Sequence, residues 1–197
     1  MTFKEKKVIR SKSDLKEYMY RDKIALHYAE GVKRPGFKDD IWKFEILLRK
    51  NEYVTNCLKS NIFLPYKLYI KYRFHKISLK LGFTIPLNSI DSGLSIAHYG
   101  LLTIGNCKIG KNCRIQEGVN IGSTSGDSKA ATIGDNVFIG TGAKIIGNIK
   151  IADNVVIGAG SVVTKSILEE GVTYAGVPAR KISNNDSKKF IDSRLID

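Results

Sequence analysis

Histidines are the side chains in this sequence best suited to proton transfer near neutral pH, and the 197 residues contain three of them. His27 and His75 lie in segments with helical patterns, where an ordinary surface histidine is the simpler interpretation. His98 lies in SIAHYG, two residues after Ile96 in a series of evenly spaced aliphatic residues. A histidine with a free ring nitrogen beside a carboxylate can act as the general base that activates a hydroxyl group. The three histidines are too scattered to supply clustered zinc ligands, so we predict no metal site.

The aliphatic residues around His98 recur every six positions, and this interval determines where the histidine should lie. An α-helix repeats every ~3.6 residues and a strand every two, so an interval of six fits neither alone. It fits a short strand followed by a turn, with one aliphatic side chain per unit directed inward, as in a parallel β-helix of hexapeptide repeats. The inward positions are Ile90, Ile96, Ile104, Ile109, Ile115, Ile121, Ile133, Ile139, Ile145, Ile151, Ile157 and Val163.

The repeat resembles that of left-handed hexapeptide β-helices, which implies that three units close one triangular coil. Residues three units apart should then be stacked, about 4.7–4.9 Å from each other along the prism axis. Counting two residues on from Ile96 and from each unit stacked above it gives one column, which consists of His98, Glu117, Thr141 and Ala159. We therefore predict that Glu117 lies one coil above His98.

A polar insertion, GSTSGDSKAAT over 122–132, interrupts the repeat between its sixth and seventh units. Irregular loops that project from a rigid scaffold often carry functional residues. We expect this loop to lean over the column. Its Asp127 and Lys129, together with Tyr99 beside the histidine, are candidates for contacts with the substrate.

Residues 11–82 lack the six-residue interval and show helical patterns. Ser11 and Asp14 have the spacing of a capping box and predict a helix start. Another helix is predicted from about Pro65 to Leu81, with lysines beside its apolar seam. We expect this helix to pack on its own domain with the lysines in water; the alternative is contact with a membrane surface. The seam consists of Ile70, Phe74, Ile77 and Leu81.

The predicted fold is mainly β with a helical N-terminal part. A helical region covers 1–84, a left-handed parallel β-helix covers 85–165, and a C-terminal extension and tail cover 166–197. The boundaries follow the places where the six-residue interval begins and ends.

The formal net charge of +13 comes from 32 Lys and Arg against 19 Asp and Glu, and most of the excess lies in residues 1–86. A solvated basic surface is the simplest interpretation, and attraction to an anionic glycan or a membrane surface is the alternative. No nucleic-acid recognition module is present in the sequence, so we predict no nucleic-acid partner.

The cysteines and the N-terminus favour a cytoplasmic location. Cys57, Cys107 and Cys113 form no CxxC pair, which fits small buried thiols in a reducing compartment. The N-terminus is charged and has no apolar core segment of a signal peptide. No stretch approaches the ~20 apolar residues of a membrane span.

The segments SIAHYG, IGTGAKIIGNI, IGAGSVVTK and AGVPARKI resemble the serine acetyltransferase-like branch of the hexapeptide acyltransferases. In particular they resemble O-acetyltransferases that modify bacterial capsule and other surface polysaccharides. The resemblance covers roughly 85–182 strongly and 11–82 more loosely. It implies a homotrimer of parallel prisms with active sites at the subunit interfaces, acetyl-CoA as donor, and no metal. It also implies that His98 deprotonates the acceptor hydroxyl, which attacks the thioester carbonyl.

The same resemblance assigns further positions to the cofactor. Thr141, Gly142, Ala159, Thr164 and Lys165 match positions that line the pantetheine groove, and Arg180 and Lys181 match a basic pair near the nucleotide phosphates. For Lys165, an exposed lysine leaving the last coil is an equally good interpretation.

Several positions depart from true serine acetyltransferases. Ala97 replaces the Asp that precedes the catalytic histidine, and Phe83 replaces the Asp that orients it. The loop lacks the Arg-His pair and has Lys129 or Ala130 where that histidine would fall. These departures leave His98 without an assigned partner, for which Glu117, Asp127, a neighbouring subunit or a backbone carbonyl are the candidates.

The sequence therefore predicts an acetyl-CoA-dependent O-acetyltransferase acting on a sugar hydroxyl of a surface polysaccharide or its precursor. One alternative is a serine O-acetyltransferase of cysteine biosynthesis, which the departures disfavour. Another is a non-catalytic trimeric scaffold, which the retained histidine and cofactor motifs disfavour.

Overall fold

A computed structural model describes residues 7–125 and 127–196. Three helices come first in the chain, and short parallel strands wound into a three-sided prism follow them. This confirms the predicted fold class of a helical part followed by a hexapeptide-repeat β-helix. No helix within the described ranges is long and apolar enough to cross a membrane.

The helices are α1 (Lys12–Ala25), α2 (Asp40–Asn56) and α3 (Leu64–Leu81), with one 3₁₀ turn (Asn61–Phe63) before α3. The Ser11 hydroxyl caps α1, because it accepts a hydrogen bond from the Asp14 amide at 3.0 Å. Helix α3 ends at Gly82, whose φ of 74° is the left-handed conformation that glycine adopts without strain. The predicted helix starts near Ser11 and Pro65 are therefore confirmed.

The strands are two to four residues long, as the six-residue interval requires. They are β1 (Phe83–Thr84), β2 (Ser95–Ile96), β3 (Leu102–Ile104), β4 (Lys108–Ile109), β5 (Arg114–Ile115), β6 (Asn120–Gly122), β7 (Thr132–Ile133), β8 (Phe138–Ile139), β9 (Lys144–Ile146), β10 (Lys150–Ile151), β11 (Val156–Ile157), β12 (Val162–Val163), β13 (Thr173–Ala175) and β14 (Arg180–Ser183).

The strands form three sheets, one for each face of the prism. Face one has the order β1-β3-β6-β9-β12, face two β10-β7-β4, and face three β14-β13-β11-β8-β5-β2. On face three, Ile96 pairs with Ile115, Ile115 with Ile139, and Ile139 with Ile157. The predicted stacking of residues three units apart is therefore confirmed.

The aliphatic residues at the six-residue interval fill the interior of the prism, where all of them are buried. At the corner between faces two and three, asparagines are stacked on one another from coil to coil. Asn112 donates to Asn136 at 2.8 Å, and Asn136 donates to Asn154 at 3.1 Å. All three asparagines have φ between 56° and 59°, a left-handed conformation that asparagine tolerates better than most residues.

The prism extends beyond the range predicted for it at both ends. Strand β1 begins at Phe83. The Phe83 ring packs edge to face on Phe44 of α2, with 5.1 Å between the ring centroids. At the other end, Ile167 bridges to Ile151, and β13 adds to face three. Strand β14 then pairs antiparallel with β13, which ends the parallel stacking.

A buried ionic network joins the helices to the first coil. The Arg49 guanidinium is fully buried and forms ion pairs with Asp22 at 2.7 Å and Glu52 at 3.1 Å. It also donates to the backbone carbonyls of Ile90 and Asp91, both at 2.8 Å. Because every one of these groups is satisfied by a partner, the network fixes α1 and α2 against the start of the prism.

The C-terminal tail folds back across face three. It contains two 3₁₀ turns, Lys188–Phe190 and Ser193–Leu195. The Phe190 ring stacks on Phe138 at 4.1 Å. Ile191 and Leu195 form a small apolar cluster with Ile24 and Ala25 of α1, which connects the end of the chain to the helices.

Candidate active site

His98 lies at the corner between faces three and one, in the segment that joins β2 to β3. Its side chain is exposed, and it makes no hydrogen bond or ion pair within the described ranges. Both ring nitrogens are therefore accessible to a substrate. This is the condition that a general base must meet before it can accept a proton from a bound hydroxyl.

The chain makes an excursion of two extra residues at this corner. The unit that begins at Ile96 is followed by the next unit at Ile104, eight residues later instead of six. As a result, the carbonyl of Leu101 accepts the hydrogen bond from the Gly118 amide at 2.8 Å. A Cβ atom on Gly100 would lie 3.3 Å from the Cβ of Glu117. The residues in contact beneath Glu117 and Gly118 are thus Gly100 and Leu101, and the excursion carries His98 and Tyr99 outward.

The upper part of the predicted column is regular. The Gly142 amide donates to the Glu117 carbonyl at 2.8 Å, and the Gly160 amide donates to the Thr141 carbonyl at 2.7 Å. The three upper members of the column, Glu117, Thr141 and Ala159, therefore follow the register of the strands before them.

The structure does not join His98 to Glu117 by a hydrogen bond. One carboxylate oxygen of Glu117, Oε2, is buried and has no hydrogen-bond partner within the described residues. A buried carboxylate oxygen without a partner is costly, so this group is available to a donor from a substrate or a neighbouring subunit.

Gln116 is a residue at this corner that the sequence analysis missed. Its Oε1 accepts from the Thr141 hydroxyl at 2.7 Å and from the Thr141 amide at 3.1 Å. These bonds fix the rotamer of Thr141, and they leave the hydroxyl oxygen free to accept one further bond. Gln116 could have been identified from the sequence, because it occupies the position next to Glu117 in the stacked unit.

Glu45 of α2 lies behind the strand that leads to His98. It is fully buried, and its Oε1 accepts from the Ile96 amide at 3.2 Å. Burial, together with the negative charge of Asp22, raises the pKa of Glu45 well above its usual range. The Glu45 carboxyl group therefore supports the β2 strand two residues before the histidine.

The segment between α1 and α2 packs on the outer side of this corner. The Tyr99 hydroxyl donates to the Lys38 carbonyl at 3.2 Å. Tyr28 stacks on Trp42 at 4.3 Å. Burial raises the pKa of Tyr28 to about 12, with a further contribution from its hydrogen bond to Asp39. The segment 26–39 thus places Tyr28 and the Asp39 carboxylate near Tyr99, the residue that follows His98.

The described residues of the loop, 122–125 and 127–132, lie at a different corner of the prism. The loop leaves face one after β6 and enters face two at β7, whereas His98 lies between faces three and one. The Ser128 carbonyl accepts from Asn106 at 2.9 Å, and the Lys129 amide donates to Asp127 at 2.8 Å. Within one chain, the structure therefore does not bring Asp127 and Lys129 to His98, contrary to the expectation that the loop leans over the column.

The predicted cofactor residues lie at two corners and on one terminal strand. Gly142 and Ala159 share the corner of His98, and a Cβ on Gly142 would meet no atom within 4 Å. Thr164 and Lys165 are exposed at the corner that follows β12. Arg180 and Lys181 are exposed on β14, where Lys181 pairs with Glu169 at 2.6 Å.

Other potentially reactive side chains have structural roles. Burial raises the pKa of the Cys113 thiol far above its usual range, so this cysteine is not a nucleophile. His27 contacts Asp192 at 3.0 Å and Arg114 at 2.8 Å, on the side where the tail packs. No group of three or more His, Cys, Asp or Glu side chains that could hold a metal ion occurs in the described part of the chain.

Comparison with known families shows the same repeat. The family described as "Bacterial transferase hexapeptide (six repeats)" matches residues 130–165. Serine acetyltransferase of Buchnera aphidicola subsp. Acyrthosiphon pisum is 34% identical over 151 residues, which are 74% of this chain and 52% of that protein. Serine acetyltransferase of Staphylococcus epidermidis is 44% identical over 114 residues, 55% of this chain and 53% of that protein. The chain thus spans about half the length of the curated relatives it matches.

The solved structures agree with the sequence relatives. Serine acetyltransferase from Brucella abortus strain S19 aligns with a TM-score of 0.70 and 28% identity, over 90% of this chain and 72% of that one. The chain is a hexapeptide-repeat protein similar to serine acetyltransferases. The Brucella abortus enzyme in complex with coenzyme A aligns with a TM-score of 0.66 and 27% identity over 88% of this chain and 70% of that one. The Neisseria gonorrhoeae serine acetyltransferase in complex with serine aligns with a TM-score of 0.66 and 25% identity over 85% and 69%.

Proposed function

We propose that this chain is an acetyl-CoA-dependent O-acetyltransferase in which His98 is the general base. The observation that carries the proposal is the free, exposed imidazole of His98, at the same corner of the prism as Glu117, Thr141 and Ala159. The likeness to a serine acetyltransferase solved with coenzyme A supports the choice of donor.

The reaction needs one proton acceptor and one nucleophile. A ring nitrogen of His98 removes the proton from the acceptor hydroxyl as the oxygen attacks the thioester carbonyl carbon. The new ester C–O bond forms, the C–S bond breaks, and the thiolate of coenzyme A leaves and receives a proton from the imidazolium. No covalent acyl-enzyme is required, because the acceptor hydroxyl attacks the thioester carbonyl directly.

The donor would lie along the corner above His98. Gly142 and Ala159 leave open space there, since neither position presents a large side chain. Thr141 can offer its hydroxyl oxygen, and Thr164, Lys165, Arg180 and Lys181 complete the set that we assign to the pantetheine arm and the nucleotide phosphates.

Serine is the acceptor that the relatives favour. The curated relatives and the solved structures described above are serine acetyltransferases, and one was solved with serine. We therefore take the hydroxyl of serine as the first candidate acceptor.

A sugar hydroxyl is the second candidate, and three positions favour it. Phe83, where serine acetyltransferases have an orienting Asp, is buried in the core against Phe44. Ala97 stands where those enzymes have an Asp, and Lys129 or the buried Ala130 stands where their loop has a histidine. The chain therefore lacks, at these positions, the charged groups that would hold the ammonium and carboxylate of an amino acid.

An acceptor comparison separates the two candidates. Release of coenzyme A thiol from acetyl-CoA is measured with serine, with oligosaccharides and without acceptor. Acceptor-dependent release with serine supports the first candidate, and release with oligosaccharide alone supports the second. Failure of acetyl-CoA to bind by calorimetry would contradict the proposed function and favour a non-catalytic trimeric scaffold.

We also propose that the active unit is a homotrimer. In the single chain, His98 has no orienting partner in the described residues and the 122–132 loop lies at another corner. A neighbouring prism could bring its loop, with Asp127 and Lys129, to this corner. The exposed side chains of Tyr99 and Leu101 beside His98 fit a surface that a second subunit covers.

A further inference from the structure

Helix α3 carries two apolar seams on opposite sides. The inward seam consists of Ile70, Phe74, Ile77 and Leu81, as predicted from their spacing. Ile70 and Leu81 are buried, and Phe74 stacks on Phe44 of α2 at 5.4 Å. This side accounts for the packing of the helix on its own domain.

The outward seam was not predicted. Leu68, Tyr72 and Leu79 are 57%, 58% and 70% exposed. With 3.6 residues per turn, these three side chains lie within about 40° of one another, on the side directly opposite Ile70. Leu64 continues the seam toward the N-terminus of the helix. The 3₁₀ turn before it adds two exposed apolar side chains, Ile62 and Phe63.

The flanks of the outward seam are basic. The helix sequence LPYKLYIKYRFHKISLKL contains no Asp or Glu. Lys71 lies on one side of the seam and Lys76 on the other. The ammonium group of Lys80 pairs with Asp40 at 2.6 Å, but Lys71 makes no ion pair within the described ranges. The Lys76 ammonium lies 5.6 Å from the Tyr72 ring centroid, so its stem runs along the apolar surface.

We infer that this face of α3 docks on the surface of a lipid bilayer that carries anionic lipids. An amphipathic helix with leucines and aromatic rings on one face and lysines at its edges is the arrangement that lies in a membrane interface. Exposed tyrosines are enriched at the level of the lipid headgroups, and Tyr72 of the outward seam is one. The lysines would reach the anionic headgroups while the leucines enter the acyl boundary.

The charge of the helix distinguishes a membrane from two other occupants of this face, a second copy of α3 and an anionic glycan. A second copy of α3 on the same seam would bring two basic edges together, and the helix has no acidic side chain to neutralise them. An anionic glycan would neutralise the lysines but leave Leu68 and Leu79 in water. An anionic bilayer satisfies both the charge and the apolar seam.

Vesicle co-sedimentation tests the inference. The full chain is mixed with vesicles of phosphatidylcholine alone or of an equimolar mixture with phosphatidylglycerol. We expect binding to the anionic vesicles that weakens as the salt concentration rises, because exposed charges are screened. Since each lysine near the surface contributes on the order of 1 kcal/mol, Lys71→Gln with Lys76→Gln should weaken binding by roughly 30-fold.

Matched variants control for fold and for total charge. Lys108→Gln with Lys111→Gln removes the same charge from the exposed surface of the prism and should leave vesicle binding unchanged. Leu68→Ser with Leu79→Ser should abolish binding, whereas Leu168→Ser with Ile182→Ser, also exposed, should not. Circular dichroism and the Tm verify that each variant is folded.

Three results would overturn the inference. The first is equal binding to neutral and anionic vesicles, and the second is no binding to either. The third is self-association in analytical ultracentrifugation that Leu68→Ser with Leu79→Ser removes, because the face would then belong to a second copy. None of these measurements uses acetyl transfer, so the proposed function and the docking surface are tested separately.

Discussion

At the scale of single residues, the corner that holds His98 combines an exposed ring with buried carboxyl groups. His98 makes no hydrogen bond in the described residues, Glu117 has one buried oxygen without a partner, and Glu45 supports the strand behind them. The corner thus combines one ring that is free to react, one carboxylate oxygen that can accept a hydrogen bond, and one carboxyl group that holds the strand behind them.

We expect Glu117→Gln to lower kcat about tenfold and to leave the KM for acetyl-CoA unchanged, if the carboxylate orients His98 in the assembled protein. Steady-state kinetics measure both constants. Glu170→Gln, a change of the same kind at an exposed position, serves as control. A purely structural role of Glu117 would instead lower the Tm and raise KM together with the loss in kcat.

The stability of Glu45→Gln should depend on pH relative to the native chain. Burial raises the pKa of Glu45 in the folded state above the ordinary value of 4.5. Because a raised pKa favours the protonated folded form, its contribution is fully present below pH 4.5 and is lost as pH rises through the folded-state pKa. The glutamine does not titrate, so the Tm of the variant minus that of the native chain should increase between pH 4.5 and pH 8. A difference that stays constant across this range would show that Glu45 is ionised in the fold.

At the scale of elements, the prism depends on close approach between coils. A Cβ on Gly134 would lie 2.8 Å from the amide nitrogen of Asp153 and 2.9 Å from the carbonyl carbon of Ala152. Both are backbone atoms of the next coil, which cannot move without disturbing the stacked strands.

Gly134→Ala should therefore destabilise the protein by about 1–3 kcal/mol, as overpacking of a tight core does. Urea unfolding measures the change. Gly31→Ala is the matched control, because its Cβ would meet no atom within 4 Å and should leave the free energy of unfolding nearly unchanged. Equal stability of Gly134→Ala and Gly31→Ala would show that the coils are less tightly stacked than the structure has them.

The six-residue interval predicted the stacking of the strands because each unit buries one aliphatic side chain, which leaves little freedom in the register. The same counting does not reveal how an excursion folds. The two extra residues between Ile96 and Ile104 gave no sign that Gly100 would contact Glu117. Likewise, the 122–132 loop was predicted to lean over the column. It lies at another corner instead, because it connects β6 on face one to β7 on face two.

Helical patterns gave the helix starts and the inward seam of α3, because an apolar face must be buried against the core. They could not give the packing of Lys38 against Tyr99 or the burial of Arg49, since both depend on contacts between distant segments. The pairing of β13 with β14 was missed for the same reason.

At the scale of the whole molecule, the single chain provides an incomplete site and exposes apolar surface beside it. Leu101 is 76% exposed and lies next to the excursion that carries His98. A trimer of parallel prisms would cover this surface and could supply the missing partner of the histidine.

Light scattering after size-exclusion chromatography should give three times the mass of one chain. Leu101→Glu should shift the particle toward the monomer and lower acetyl transfer with it, because a charge would be buried at the interface. Leu168→Glu, at another exposed position away from this corner, should remain trimeric. A native chain that elutes as a monomer and still transfers acetyl groups would contradict the proposed assembly.

The most direct test of the account is release of coenzyme A thiol from acetyl-CoA, measured with an acceptor for native protein, His98→Ala and the control His75→Ala. We expect His98→Ala to lower the acceptor-dependent rate by ~10²–10⁴-fold, because a general base contributes about that much. Its Tm should match that of the native chain, since the His98 side chain is exposed and makes no hydrogen bond in the described residues. Acetyl transfer by His98→Ala at the native rate would contradict the assignment of His98 as the general base.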